Sequence, residues 1–416
     1  MNKKITLFLF LLTGFSSFAQ NVDYINAEVT YTRLPMKPIS KDIKNYQALI
    51  IADYTAKNEQ AKTDFQNATA KADADYQMAL KQYWTKRNQD SLLYENSLNV
   101  WFRLTPQQQA VTPRPQLLAT TPPVKTATSE PLLEKTFNTE LLASTNIKLE
   151  GFTKLPEKAL IIQINLTGFE KDAAKPVTQK KQVKGADGKT TDVDVFVYQF
   201  NYRHMTKLKI FQPDGKYLMD EAYAPSLNFS TYTSKDFPTQ AELDTYWKTA
   251  QNPEISAVQE KIVLDNLRSI NEMLNSDYGY VSQSRSVAIG YVNEKKMYDD
   301  LKDALNNAKN AYAAIGKKET SAQGEDYLHK AITAWENALK ESDPDHRKAR
   351  INQDVTEALL IDLSEAYIWL NDYTKSQEYL TKLDNCKLSF RKKGFRSSIH
   401  AFHDVQNTRY LANKTN

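Results

Sequence analysis

The chain has 416 residues, 41% of them hydrophobic, with 54 Lys/Arg against 50 Asp/Glu and a single cysteine, Cys386. That length accommodates two or three domains, and one cysteine excludes an intrachain disulfide. The near-neutral balance argues against a nucleic-acid binder, whose affinity comes from neutralising phosphates.

The first segment reads as a cleavable secretory signal peptide over residues 1–19. Lys3 and Lys4 supply the positive start, Ile5 to Phe15 is an uncharged apolar run, and Ser17-Phe18-Ala19 offers small residues at the cleavage site. The run is shorter than the ~20 apolar residues that span a bilayer. No cysteine follows it to carry a lipid, and no later segment is apolar enough to cross a membrane. The expected mature chain starts near Gln20, with 52 basic against 50 acidic side chains once Lys3 and Lys4 are removed. Its expected place is the periplasm, or the outer membrane through a partner.

Ala27 to Arg33 alternates apolar and polar residues, and Tyr46 to Tyr54 is a short β-branched run, so both predict strands. From Ala56 to about residue 98 the chain lacks Pro and Gly. Ala61, Phe65, Ala68, Ala72, Tyr76, Ala79 and Tyr83 recur at spacings of three and four, which predicts one stripe down a long helix. That stripe reads first as an intramolecular packing face and second as a partner face. Residues 103–131 hold Pro106, Pro113, Pro115, Pro122, Pro123 and Pro131 among Gln, Thr and Ala, the composition of an extended spacer.

Strands return with Leu160, Ile162, Ile164 and Leu166 in alternation, and with Val193 to Tyr202, apolar on both faces. Asp187-Gly188 and Pro213-Asp214-Gly215 mark two hairpins. Thr239 to Glu242 resembles a capping box opening a helical region, interrupted by a strand-like stretch from Val287 to Val292. The last segment, 385–416, carries seven Lys/Arg against one Asp and reads as a basic tail with interleaved Phe390, Phe395 and Phe402.

Within the helical region, Ala331, Trp335 and Ala338 sit at the small, aromatic and small positions of the second helix of a tetratricopeptide repeat. Leu360, Leu363, Ser364 and Tyr367 match a first helix, Asn371-Asp372-Tyr373 the turn, and Ser376 and Leu380 the helix that follows. Ala304, Ala308 and Tyr312 form a weaker, offset match. The segment from about 300 to 383 therefore resembles that repeat family, with an insertion around 346–354 that a regular array lacks. The resemblance implies a concave surface presented to a peptide or protein partner.

Catalytic chemistry finds no support in these residues. There is no nucleophile elbow, phosphate loop, dinucleotide fingerprint or calcium loop, and His400 with His403 and Asp404 falls short of a metal-ligand set. No catalytic, cofactor or metal residue is assigned.

The expected fold class is α+β. A β-rich domain spans 20–235, with a long helix (56–98) and a Pro-rich linker (103–131) inserted. A helical, tetratricopeptide-like domain spans 236–384, and the basic tail follows. The expected function is a non-catalytic envelope scaffold or adaptor for protein partners, of the kind that serves an outer-membrane assembly or secretion complex. Tyr312, Trp335, Tyr367, Tyr373, Lys392 and Lys393 are the candidate contacts, and the tail offers peripheral membrane contact. The alternative is a secreted glycan-active protein, a hydrolase or a carbohydrate-binding module.

Overall fold

A computed structural model describes residues 22–131, 133–184, 188–293 and 297–414; the expected signal peptide lies outside the described residues, as does Asp187 of the first hairpin turn. In chain order the elements are β1 (Val22–Arg33), β2 (Asn45–Ala52), α1 (Thr55–Phe102), α2 (Pro106–Val111), α3 (Thr139–Asn146), β3 (Thr153–Lys154), β4 (Ala159–Lys171) and β5 (Lys175–Lys184). They continue with β6 (Thr190–Phe211), β7 (Tyr217–Ala222), β8 (Ser230–Thr233), α4 (Gln240–Asp277), β9 (Val281–Val292), α5 (Asp299–Ala314), α6 (Ser321–Leu339), α7 (Gln353–Trp369), α8 (Tyr373–Asp384) and α9 (Phe390–Lys414). No helix among the described residues is long and apolar enough to cross a membrane.

The mixed α and β character expected from the sequence is present, but the two compact units are not divided at residue 235. Among the described residues, a helical unit comprises those within 22–46, 148–158 and 271–414, and a sheet unit those within 47–147 and 159–270. The physical reason is strand pairing. β1 pairs antiparallel with β9 over its full length, from Val22 opposite Val292 to Arg33 opposite Val281, so the first strand joins the C-terminal helices.

In the sheet unit, β6 is the central strand. β4 and β5 follow one another along one edge of it, interrupted at Asp172–Ala174, and β7 and β8 pair with its other edge. β2 lies beside β4. Leu160, Ile162, Ile164 and Leu166 are all fully buried, matching the period-2 alternation. The Thr239 cap is made, its hydroxyl receiving the Glu242 amide at 3.3 Å. Tyr198 stacks on Trp247 of α4 at 4.8 Å, and Phe200 stacks on Tyr232 at 4.7 Å. The strand tyrosines Tyr198 and Tyr232 are thus consumed by packing under α4, and Tyr223 bonds Ser269 at 2.5 Å.

The inserted helix and linker form one object, and the reading of 103–131 as a spacer is corrected. α2 turns the chain, closed by a capping box between Thr105 and Gln108. The Pro-rich strand then runs back along α1. Trp101 Nε1 donates to the Thr112 carbonyl at 2.9 Å, Arg87 to the Leu118 carbonyl at 3.1 Å, Lys125 pairs with Asp73, and Thr69 meets Thr128 at 3.1 Å.

The lengths agree with an extended, polyproline-like strap. Thr112 to Thr128 covers about 50 Å at ~3.1 Å per residue, and Trp101 back to Thr69 covers about 48 Å at ~1.5 Å per residue. At the base, Asn58 exchanges two hydrogen bonds with the Glu134 backbone, at 2.8 and 3.0 Å. Phe65, Ala72, Tyr76, Ala79 and Tyr83 of the expected stripe are half-buried in this arm.

In the helical unit, α5 to α9 pack around the β1–β9 ribbon. Ala304, Ala308 and Ala311 of α5 and Ala331 and Ala338 of α6 are fully buried, and such small side chains permit close helix approach. α7 is buried from Val355 to Ala366 on every side. Its Ser364 carbonyl accepts from Ser376 of α8 at 2.8 Å. Gly290 of β9 has no Cβ because one would stand 2.8 Å from Ala358.

Candidate functional site

The expected contact residues scatter over the helical unit. Tyr312 and Trp335, 2% and 1% exposed, belong to its core, so they are corrected from contact residues to packing residues. Both lie on a helical stripe that the sequence marks as apolar without saying which face meets solvent.

Lys392 is also internal. Its ammonium sits 2.6 Å from Glu357 and 2.9 Å from Asp354, both on α7. The expected basic tail is therefore α9, a packed helix. Arg409 donates to the Leu34 and Ser276 carbonyls, Arg396 pairs with Asp384 at 3.5 Å, and Arg391 covers Tyr24 at 5.1 Å. Lys392, Arg396 and Arg409 are thus engaged within the fold, whereas Lys387, Arg391, Lys393 and Lys414 are exposed. Lys393 alone of the two expected lysines is exposed. His400 bonds Asp384 at 3.2 Å and His403 bonds the Tyr373 carbonyl at 3.1 Å, so the two imidazoles serve different partners.

Tyr367 and Tyr373 stand at two separate concavities. Tyr373 borders a cavity of about 360 Å³ with Tyr31, Trp369 and Phe402, and burial pushes its hydroxyl pKa up.

Tyr367 stands beside an open groove of about 570 Å³ on α6, α7 and α8. There Glu336 accepts hydrogen bonds from Tyr367 at 2.6 Å and Tyr379 at 2.7 Å, and the two rings lie parallel, 5.6 Å apart. Burial, then the hydrogen bond to the Glu336 carboxylate, raises both hydroxyl pKa values, so both donate at any physiological pH. Lys340, Lys375 and Lys382 line the groove. Lys382 spans Tyr379, 4.8 Å from the ring, and reaches Glu378 at 2.9 Å, whereas Lys375 is 3.6 Å from Glu378. Sequence reasoning named Tyr367, beside the groove, but missed these lysines: Lys375 and Lys382 lie on α8 and Lys340 caps the end of α6, so the two elements meet only in space.

The sheet unit carries a further concavity, a cleft of about 660 Å³ lined by Glu134, Phe169, Glu170, Asp172, Asn201 and Phe229 among others. Each carboxylate has a structural task. Glu134 receives the Phe169 amide at 2.8 Å, Glu170 pairs with Arg203 at 2.6 Å, and Asp172 receives the Asn201 amide at 2.7 Å. Gly168, at φ +140°, permits the bulge that aims Phe169 N–H at Glu134; a Cβ there would stand 3.0 Å from the Glu134 oxygen. Burial holds the Glu134 carboxyl above the usual range, opposed by the Phe169 bond and by Lys57. Phe229 is exposed and carries the Arg203 guanidinium 4.5 Å above its ring.

Among the described residues no group of three or more His, Cys, Asp or Glu side chains could hold a metal ion. No family model, curated protein or solved structure matches this chain.

Proposed function

We propose that this chain is a non-catalytic scaffold of the cell envelope that holds a protein partner by an acidic segment in the groove of α6, α7 and α8. The supporting observation is the set of donors there. Lys340, Lys375 and Lys382 outnumber the one carboxylate in the groove lining, Glu336, whose Oε1 accepts from two tyrosine hydroxyls; Lys375 and Lys382 share the neighbouring Glu378. Such a surface complements a carboxylate-rich or C-terminal peptide, where charge pairing supplies specificity and encounter rate. The tetratricopeptide-like pattern of the helices agrees with this use, and the signal-peptide reading of residues 1–19 supports the envelope location.

The test is mild crosslinking in the native envelope followed by purification, with the wild type beside Lys375→Glu/Lys382→Glu. A stoichiometric partner retained by the wild type and lost by the variant supports the reading. No stoichiometric partner, or equal recovery by both, rejects it.

The cleft at Glu134 favours a second reading, a glycan-binding or glycan-cleaving site, because an exposed phenylalanine lines the same cleft as a carboxyl of raised pKa. Two working carboxylates are what hydrolysis requires, and those of this cleft are engaged by Phe169, Arg203 and Asn201. Calorimetry with envelope oligosaccharides separates the two readings: binding abolished by Phe229→Ala would put the glycan reading first.

A further inference from the structure

The cavity of about 360 Å³ beside Tyr373 is walled by aromatic rings and backed by cations. Tyr31 meets Trp369 edge-on at 5.2 Å, and Phe402 lies 5.4 Å from Trp369. Two side-chain stripes lead from this lining to a pair of arginines. On β1, Tyr31 and Arg33 are two residues apart and share a face of the strand. On α9, Phe402, Gln406 and Arg409 stand four and then three residues apart, along one face of the helix. The stripes meet where Arg409 donates to the carbonyl of Leu34, itself part of the lining.

These two guanidiniums lack an anion. Arg33 donates to the Asn275 carbonyl, and Arg409 to the Leu34 and Ser276 carbonyls and the Ser276 hydroxyl. Among the described residues neither pairs with a carboxylate, and the Nε of each is buried with no hydrogen-bond partner, a costly state for a donor. Arg409 is 5% exposed, and burial followed by the Arg33 charge lowers its pKa. Asp277, whose charge also reaches Arg409, is held by Lys37 at 2.8 Å. Burial raises the Tyr31 hydroxyl pKa, and the charges of Arg285, Arg33 and Arg409 oppose it, so the positive field extends to the cavity wall. Arg285 is neutralised by Glu365. At the solvent side of the lining, Lys317 and Lys318 face one carboxylate, Glu325, which accepts from Ser321 at 3.3 Å.

We propose that this cavity binds a small aromatic carboxylate, its ring among Tyr31, Trp369 and Phe402 and its acid group towards Gln406, Arg33 and Arg409. Aromatic walls with a few placed polar groups are the usual make-up of a small-molecule site, and the volume lies at the lower end for one, which suits a single ring system on a short acid chain. The rings accept any flat apolar body; the uncompensated guanidinium pair selects the negative charge. The groove of α6, α7 and α8 shares none of these residues, so the site stands whether or not an acidic partner binds there.

Calorimetry of the chain from Gln20 onward, with indole-3-propionate and its uncharged amide, tests the site. The acid is expected to bind one to one and at least ~10-fold tighter than the amide. Gly-Gly-Trp offers the same ring and acid at a peptide terminus, and the tighter of the two acids names the source. Lys317→Glu/Lys318→Glu, two changes at exposed positions, is expected to weaken the acid several-fold and leave the amide unchanged. Gln406→Glu sets a carboxylate of the chain's own one helical turn from Arg409. That variant is expected to abolish binding of the acid and to raise the thermal midpoint, because it supplies the missing anion; a merely structural role for Gln406 would lower that midpoint. Circular dichroism confirms that each variant is folded.

No binding of either acid at millimolar concentration overturns the proposal. So does an amide that binds as tightly as its acid, or acid binding undiminished in either folded variant.

Discussion

Arg285 on β9 and Glu365 on α7 join through two parallel hydrogen bonds, Nε to Oε1 at 2.7 Å and a second guanidinium nitrogen to Oε2 at 2.8 Å. Phe402 of α9 lies 4.0 Å from the guanidinium, and Trp369 Nε1 donates to Glu365 at 3.1 Å. The pair thus fixes ribbon, α7 and α9 together with little solvent access. Removing one member leaves the other charge buried and uncompensated, whereas replacing both with apolar groups removes the burden. Arg285→Met is expected to destabilise the helical unit by about 3–5 kcal/mol. Arg285→Met/Glu365→Leu should lose far less. Urea denaturation of the three proteins checks this, and equal losses in both variants would refute it.

Asp362, on the same helix, has no ion-pair partner among the described residues. Its carboxyl accepts the Gly290 amide at 2.9 and 3.2 Å, and the buried Tyr24 hydroxyl nearby has no hydrogen-bond partner among the described residues. Burial, reinforced by Glu365, pushes its pKa well up against the opposing pull of the Gly290 bond. The folded state therefore holds this proton more tightly than the unfolded chain. The resulting stabilisation is complete below the unfolded carboxyl pKa, ~3.9, and is lost as pH rises from there towards the folded value. Asp362→Asn keeps an acceptor for Gly290 and removes the titration. It should be more stable than the wild type at pH 8, with the gap narrowing at pH 5. Denaturant midpoints at the two pH values measure it.

His204 of β6 titrates in the opposite sense. Burial depresses its pKa to about 4, outweighing two backbone hydrogen bonds. Its ring meets Tyr54 edge-on at 5.9 Å, and Nδ1 is buried without a hydrogen-bond partner among the described residues. Stability from the neutral imidazole is complete above the unfolded pKa of ~6.5 and is lost as pH falls towards the folded value. His204→Phe retains the aromatic contact without the titration, so the sheet unit should unfold at a lower pH in that variant. Tyrosine fluorescence along an acid titration reads the shift; an unchanged acid midpoint would show that other groups govern it.

Local periodicity made β4 legible, because its alternating Leu160, Ile162, Ile164 and Leu166 face one way in any sheet that buries them. The Thr239 cap was legible for the same local reason. The pairing of β1 with β9 was not, since a strand carries no mark of which distant strand completes its ladder. Lys392 illustrates the same gap in charge reading. Beside Arg391 and Lys393 it belongs to a basic run, and only the fold brings Glu357 and Asp354 to it. Tyr312 and Trp335 were recognised as positions of the helical pattern but misplaced on its surface, because period fixes a face and not its neighbour. At the groove, Lys340, Lys375 and Lys382 were not legible, because the end of α6 and the face of α8 that carry them meet only in the fold.

The proline strap admits a direct test, because its hold on α1 depends on staying extended. Proline confines the backbone near φ −65°, which lowers the entropy that the free chain would otherwise recover by detaching. Pro122→Gly/Pro123→Gly lies between the Thr120 contact with Arg87 and the Lys125 contact with Asp73. Two such changes should weaken the strap by about 1–2 kcal/mol and open Lys125 to trypsin. The sheet unit should be unaffected, since its core residues Leu160, Ile162 and Leu208 are buried independently of the strap. Limited proteolysis should therefore cut at Lys125 several-fold faster while the thermal midpoint of the remaining protein stays put. A fall in that midpoint, or unchanged cleavage, would show that the strap is secured by something other than its extended backbone.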